Sequence, residues 1–153
     1  MFRTPARLYR VLAIAEAITW TLLISALIAR AVGAPGIVVT IAGGIHGFVF
    51  LSYGATAVLV ALNQRWSVGV GVAAVVSAIV PYATIPMEIW LHRTRRLLGG
   101  WRLEETDHPR DRAWYDLWMR RLLNRPWVLA VLVVVAIVAL FVILLIIGPP
   151  GGK

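Results

Sequence analysis

The chain has 153 residues, of which 60% are hydrophobic and only 14% charged, and its formal net charge is +8. A soluble domain is nearer half apolar and a quarter charged, and it alternates apolar with polar residues, whereas here the apolar residues come in unbroken runs. The absence of cysteine excludes disulfides, thiolate metal sites and cysteine nucleophiles. A basic soluble chain would point first to nucleic acid. Here the arginines cluster beside apolar runs, so anionic lipid headgroups are the simpler counter-charge and no nucleic-acid partner is expected.

The first expected span runs from Leu8 to Ala29, bounded by Arg7 and Arg30, and a Gly-Ala-Pro-Gly turn from Gly33 to Gly36 then breaks the helix. It is long for the apolar core of a signal peptide, and Glu16, Thr19 and Thr21 interrupt it. The second span covers Ile37 to Leu62 and closes on Asn63-Gln64-Arg65, with Trp66 where an interfacial anchor belongs. The third covers Val68 to Leu91 and contains Pro81 and Pro86, which predict a kink whose freed carbonyls neighbouring helices must satisfy. The fourth, Trp127 to Ile147, is almost pure Val, Leu, Ile and Ala, the composition of a lipid-facing anchor.

Between spans three and four, His92 to Arg125 carries nine arginines. Asp107 followed by Pro109 reads as a helix start. Trp114, Trp118 and Leu122 then share an apolar face, opposite Arg112, Arg120 and Arg121. A helix with tryptophan on one face and arginine on the other lies in the headgroup plane, the alternative being a solvated connecting helix. With four crossings, the positive-inside rule places this loop in the cytoplasm and both termini outside, although Arg3, Arg7 and Arg10 pull the other way.

Polar groups inside spans are expensive, so they are the candidate sites. Glu16 lies roughly 12 Å into the first span and His46 roughly 13 Å from the opposite end of the second, depths that antiparallel neighbours would match. The two are therefore expected to pair, with Tyr53 and Thr84 completing a polar core. Close helix packing is expected at Gly43 and Gly47 in a G-x-x-x-G, at the stripe Ala13, Ala17, Thr21, Ser25 and Ala29, and at Gly69, Ala73 and Ser77. Glu16 and His46 read either as a structural lock or as a proton-linked or substrate-binding pair. No metal or haem site is expected, since His92 sits at a helix end, far in depth from His46. No phosphate loop, metalloprotease helix or nucleophile elbow is present.

Ala15-Glu16-Ala17-Ile18-Thr19, Gly44-Ile45-His46-Gly47-Phe48-Val49-Phe50 with Tyr53, Arg65-Trp66-Ser67 and Pro81-Tyr82-Ala83-Thr84 occur in this order. Together they resemble the pattern of the YdzA-like family, small uncharacterised bacterial integral membrane proteins, over residues 8 to 92. Ala17 stands where that family has glycine, and Tyr82-Ala83 where it has Phe-Gly. The resemblance implies a bacterial plasma-membrane location and singles out Glu16, His46, Gly47, Tyr53, Pro81 and Thr84; it implies no activity.

The expected fold is an all-α integral membrane bundle of four transmembrane helices, with one amphipathic interfacial helix between helices 3 and 4. Its parts are a three-span core over 1–92, a basic loop over 93–125, and a fourth helix with a Gly/Pro tail over 126–153. The expected function is that of a non-enzymatic accessory or assembly subunit without a cofactor, packing with itself or a larger membrane complex. The alternative is a small proton-linked transporter.

Overall fold

The computed structural model describes residues 4–104 and 114–147, and the described part is helices, turns and irregular chain. It divides into two compact units, Met1–Leu98 and Gly99–Lys153. Three helices are long and apolar enough to cross a membrane: α1, Pro5–Ala31; α2, Ile37–Asn63; and α6, Pro126–Ile147. The other helices are short: α3, Val68–Val76; α4, Thr84–Arg93; and α5, Trp114–Leu123.

The single kinked helix expected over Val68–Leu91 is corrected by the structure. The segment is broken into α3, a 3-10 turn at Ser77–Ile79, a loop through Val80–Ala83, and α4. The prolines account for the break as a stop and a start. Val80, which precedes Pro81, is extended at φ −98° and ψ 124°, since the proline ring disfavours a helical residue before it. Tyr82 then takes the left-handed region at φ 65°. Pro86 falls in the first turn of α4, where a missing N–H costs nothing because no intrahelical acceptor faces it. The turn closes on its own backbone through Ala83 N to Val80 O at 3.1 Å and Ile85 N to Tyr82 O at 3.2 Å.

Within the first unit, α1 and α2 lie antiparallel, because Tyr9 meets Tyr53 and Thr19 meets His46. Helix α3 runs antiparallel to α2: Gly71 lies against Ala61, while Ala74 and Ser77 reach Tyr53. Helix α4 runs antiparallel to α1, with Thr84 at Ala13 and Glu16 and Glu88 at Arg10. So α3 and α4 point in opposite directions, and the chain turns back between them. Their outer ends are tied together: Trp66, just before α3, donates its indole N–H to the carbonyl of Arg96, just after α4, at 2.8 Å. Trp66 is 9% exposed and packs edge-on against Tyr9, so its ring is an internal strut of this unit.

The buried faces refine the expected stripes. On α1 the inward residues are Tyr9, Ala13, Glu16, Thr19 and Ala26, while Thr21 and Ser25 are exposed. On α3 the packed face is Gly71 and Ala74 with Ser77, whereas Ala73 is exposed and a Cβ at Gly69 would meet nothing within 4 Å. Every residue of α3 is small or apolar, so spacing alone could not choose between faces one residue apart. A Cβ added at Gly43 would lie 3.9 Å from Leu23 Cδ1 of α1, an ordinary van der Waals contact.

In the second unit, Arg121 lies over the ring of the exposed Trp118 at 6.0 Å, and Asn124 donates to the Leu103 carbonyl at 3.1 Å. Arg120, expected on the polar side, is 7% exposed. Arg112 and the helix start expected at Asp107–Pro109 lie outside the described residues, as does the side chain of Trp114.

Candidate functional site

The polar side chains of the first unit gather where the broken segment crosses α1 and α2, and the break explains most of them. Ending a helix inside an apolar environment frees backbone carbonyls, and each needs a donor from elsewhere. Ala74 O receives Ser77 Oγ at 2.7 Å and Tyr53 Oη at 3.0 Å. Ala78 O receives the Trp20 indole N–H at 3.3 Å. Tyr53 also lies 3.0 Å from Ser77 Oγ and bonds to the hydroxyl of Tyr9, both tyrosines being fully buried. With Tyr53's one hydroxyl hydrogen on the Ala74 carbonyl, Tyr9 donates to Tyr53, and Ser77 gives its own hydrogen to the same carbonyl.

Glu16 is fully buried at the start of α4. Its Oε2 lies 2.8 Å from Thr84 Oγ1, the first residue of that helix, and Thr84 Oγ1 also lies 3.1 Å from the carbonyl of Ala13. Glu16 Oε1 is buried with no hydrogen-bond partner among the described residues. The carboxyl group thus sits at a helix N-terminus, where the macrodipole and unpaired N–H groups favour acidic oxygens.

His46 does not meet Glu16. Its Nδ1 lies 3.1 Å from Thr19 Oγ1, which also reaches the Glu16 backbone carbonyl at 2.9 Å. A carbonyl only accepts, so the single hydroxyl hydrogen of Thr19 goes there, and His46 Nδ1–H is assigned as donor to Thr19. The ring lies 4.4 Å from Trp20 and 6.2 Å from Phe50.

Of the residues marked out in the sequence, the structure brings Glu16 together with Thr84, sets Tyr53 on the broken segment, and gives His46 its own partner. Pro81 and Pro86 frame the break. Tyr9, Thr19, Trp20 and Ser77 were missed as members of the polar seam. Tyr9, Ala13, Glu16 and Trp20 recur at i, i+4, i+7 and i+11 on one helical face, a spacing that would have found Tyr9 and Trp20. Toward the start of α1, Arg10 Nε pairs with Glu88 Oε1 at 2.8 Å, a bond the sequence did not suggest because 78 residues separate the two. With Arg10 half exposed, this pair contributes at most about 1 kcal/mol. No group of three or more metal-ligating side chains occurs among the described residues.

Residues 6–93 match the model of the family described as "Domain of unknown function (DUF3817)". A relative in Streptomyces coelicolor, SCO5905, named as a membrane protein, is 36% identical over 93 residues, which are 60% of this chain and 11% of that protein. The chain thus spans about a tenth of the length of the curated relative it matches. No solved structure matches it. With the matched region covering the broken segment, both long helices against it and every residue of the polar seam, the chain is a member of the DUF3817 family of uncharacterised membrane proteins.

Proposed function

We propose that this chain is a non-enzymatic packing subunit of the bacterial plasma membrane, working through helix contacts with a second copy or a larger membrane complex. The observation that carries this reading is a groove. Because the broken segment turns back near Trp20, the far halves of α1 and α2 have no third helix against them among the described residues of this unit. They leave an open apolar groove of about 470 Å³, lined by Leu22, Ala26, Ala29, Val38, Ala42 and Ile45. Small residues in such a groove let another backbone approach closely, and van der Waals packing of this kind drives helix association in lipid. The polar seam suits the same reading: it is spent on satisfying broken backbone.

The finer parts of the reading are the resemblance to YdzA-like proteins, a cytoplasmic arginine-rich loop, and α5 lying on the headgroups through its exposed Trp118 and Arg121. Purification in a mild detergent, with mass determination of the intact particle, tests the subunit reading. An oligomer or a stoichiometric membrane partner is expected, and Ser25→Phe at the exposed edge of the groove should disperse it while leaving helicity intact. A monodisperse monomer with no partner would sink the reading.

A second reading, a proton-linked carrier, is motivated by the unpartnered Glu16 Oε1 at the start of α4, since discontinuous helices often frame ion sites. Proteoliposomes showing no pH-driven uptake of any solute would remove it.

A further inference from the structure

We infer that residues 68–93 form a re-entrant hairpin that enters and leaves the membrane on the cytoplasmic face, so that the N-terminus lies in the cytoplasm together with the arginine-rich loop. This rests on the cytoplasmic placement of that loop and replaces the expectation of an external N-terminus.

The first support is geometry. The contacts that run from Gly71 to Ser77 on α3 descend α2 in number, from Ala61 to Tyr53, and those from Thr84 to Glu88 on α4 descend α1, from Glu16 to Arg10. With α1 and α2 antiparallel, the two limbs must run in opposite directions, and their outer ends meet where Trp66 bonds to the Arg96 carbonyl. That end is where α1 begins, because Trp66 also packs on Tyr9. Length agrees. The nine residues of α3 and three of the 3-10 turn rise about 20 Å, and the ten of α4 about 15 Å, while a hydrocarbon core is about 30 Å thick. Neither limb spans. Apolar stretches of such length suit buried or re-entrant segments, which are tolerated where protein satisfies the irregular backbone, as Trp20 and Tyr53 do here.

The second support is independent and comes from charge. If residues 68–93 crossed the membrane, Arg3, Arg7, Arg10 and Arg65 would face the side opposite the nine arginines of the long loop, and either orientation would leave several arginines outside. A hairpin puts all of them on one side. Only Arg30, in the last turn of α1, and Lys153, beyond α6, then fall on the other. The positive-inside rule, divided under four crossings, points one way under three. The arginines ahead of the first span and those of the long loop then pull together.

The native chain has no cysteine, so single cysteines report sidedness cleanly. Phe2→Cys, Pro35→Cys and Glu104→Cys in the full chain are treated with a membrane-impermeant thiol reagent, before and after the cells are opened. Pro35→Cys should label in intact cells, and the other two only after opening, with at least a tenfold gain in signal. Labelling of Phe2→Cys in intact cells while Glu104→Cys stays protected would overturn the hairpin and leave the cytoplasmic loop standing. Labelling of Phe2→Cys and Glu104→Cys together in intact cells would retain the hairpin but overturn the cytoplasmic side, and with it the loop placement. If a variant is not inserted, glycosylation acceptor sequences added ahead of Met1 and within 100–104 give the same comparison.

Discussion

Thr84 has one hydroxyl hydrogen and two oxygens within reach, the Glu16 carboxyl at 2.8 Å and the Ala13 carbonyl at 3.1 Å. Its bond to Glu16 joins α1 to α4, so each residue depends on the other. Glu16→Ala or Thr84→Val should each cost about 0.6–2 kcal/mol, the range of polar contacts between helices in lipid. The double variant should cost clearly less than the sum in equilibrium unfolding from detergent, and additive losses would show that the contact is not energetically real. The Glu16–His46 cycle should by contrast be additive to within about 0.3–0.5 kcal/mol. Glu16, Tyr53 and Thr84 were legible in the sequence because polar groups stand out in an apolar run. Their partners were not, because matched depth fits His46 to Thr19 as well as to Glu16, and only the packing chooses between them. Arg95 offers a separate test. It occupies the left-handed region at φ 58° where α4 ends, with Arg96 N bonding to Leu91 O and Arg95 N to His92 O, a closing turn that glycine fits without strain. Arg95→Gly should therefore raise stability by about 0.5–1 kcal/mol, and a loss on thermal unfolding would show that the side chain outweighs the backbone strain.

At the scale of elements, α1, α2 and α6 were readable to within three residues at each end, since length and apolarity define a span without regard to its neighbours. The segment after Trp66 was not. Its apolar run is long enough for a third span, and only the spacing of two prolines hints otherwise: Pro81 disfavours a helical Val80, while Pro86 suits a first turn. Whether a chain kinks or reverses between two such signals depends on what receives the freed carbonyls, and those donors, Trp20 and Tyr53, sit on other helices. Tyr53 is the keystone, touching Tyr9, Ser77 and Ala74 O. Tyr53→Phe keeps the ring packed and removes only the hydroxyl, so it should cost about 1–2 kcal/mol. The loss should appear first in α3 and the 3-10 turn: amide exchange over residues 72–80 should quicken severalfold while α1 stays protected. Uniform quickening across α1 and α3 would mean that the hydroxyl chain does not secure the break.

At the scale of the whole molecule, the first unit, Met1–Leu98, is expected to fold alone. The family match, residues 6–93, falls inside this unit. Where the unit ends is set by the foot of the hairpin. Trp66 takes its acceptor from Arg96, and Leu97 is 2% exposed, so the stabilising contacts run past the last turn of α4. A chain ending after Leu98 should therefore keep its helicity in detergent and unfold within about 4 °C of the full protein, the shift that about 1 kcal/mol produces in a domain of this size. A chain ending after His92 removes the Arg96 acceptor and the buried Leu97, and leaves the Trp66 indole N–H unpaired. Losing a buried side chain and orphaning a donor should cost about 2–4 kcal/mol together. Thermal unfolding of the two truncations side by side separates the outcomes. Equal midpoints would show that the Trp66–Arg96 bond does not close the hairpin, and collapse of the longer one would show that the second unit is needed for the first to fold.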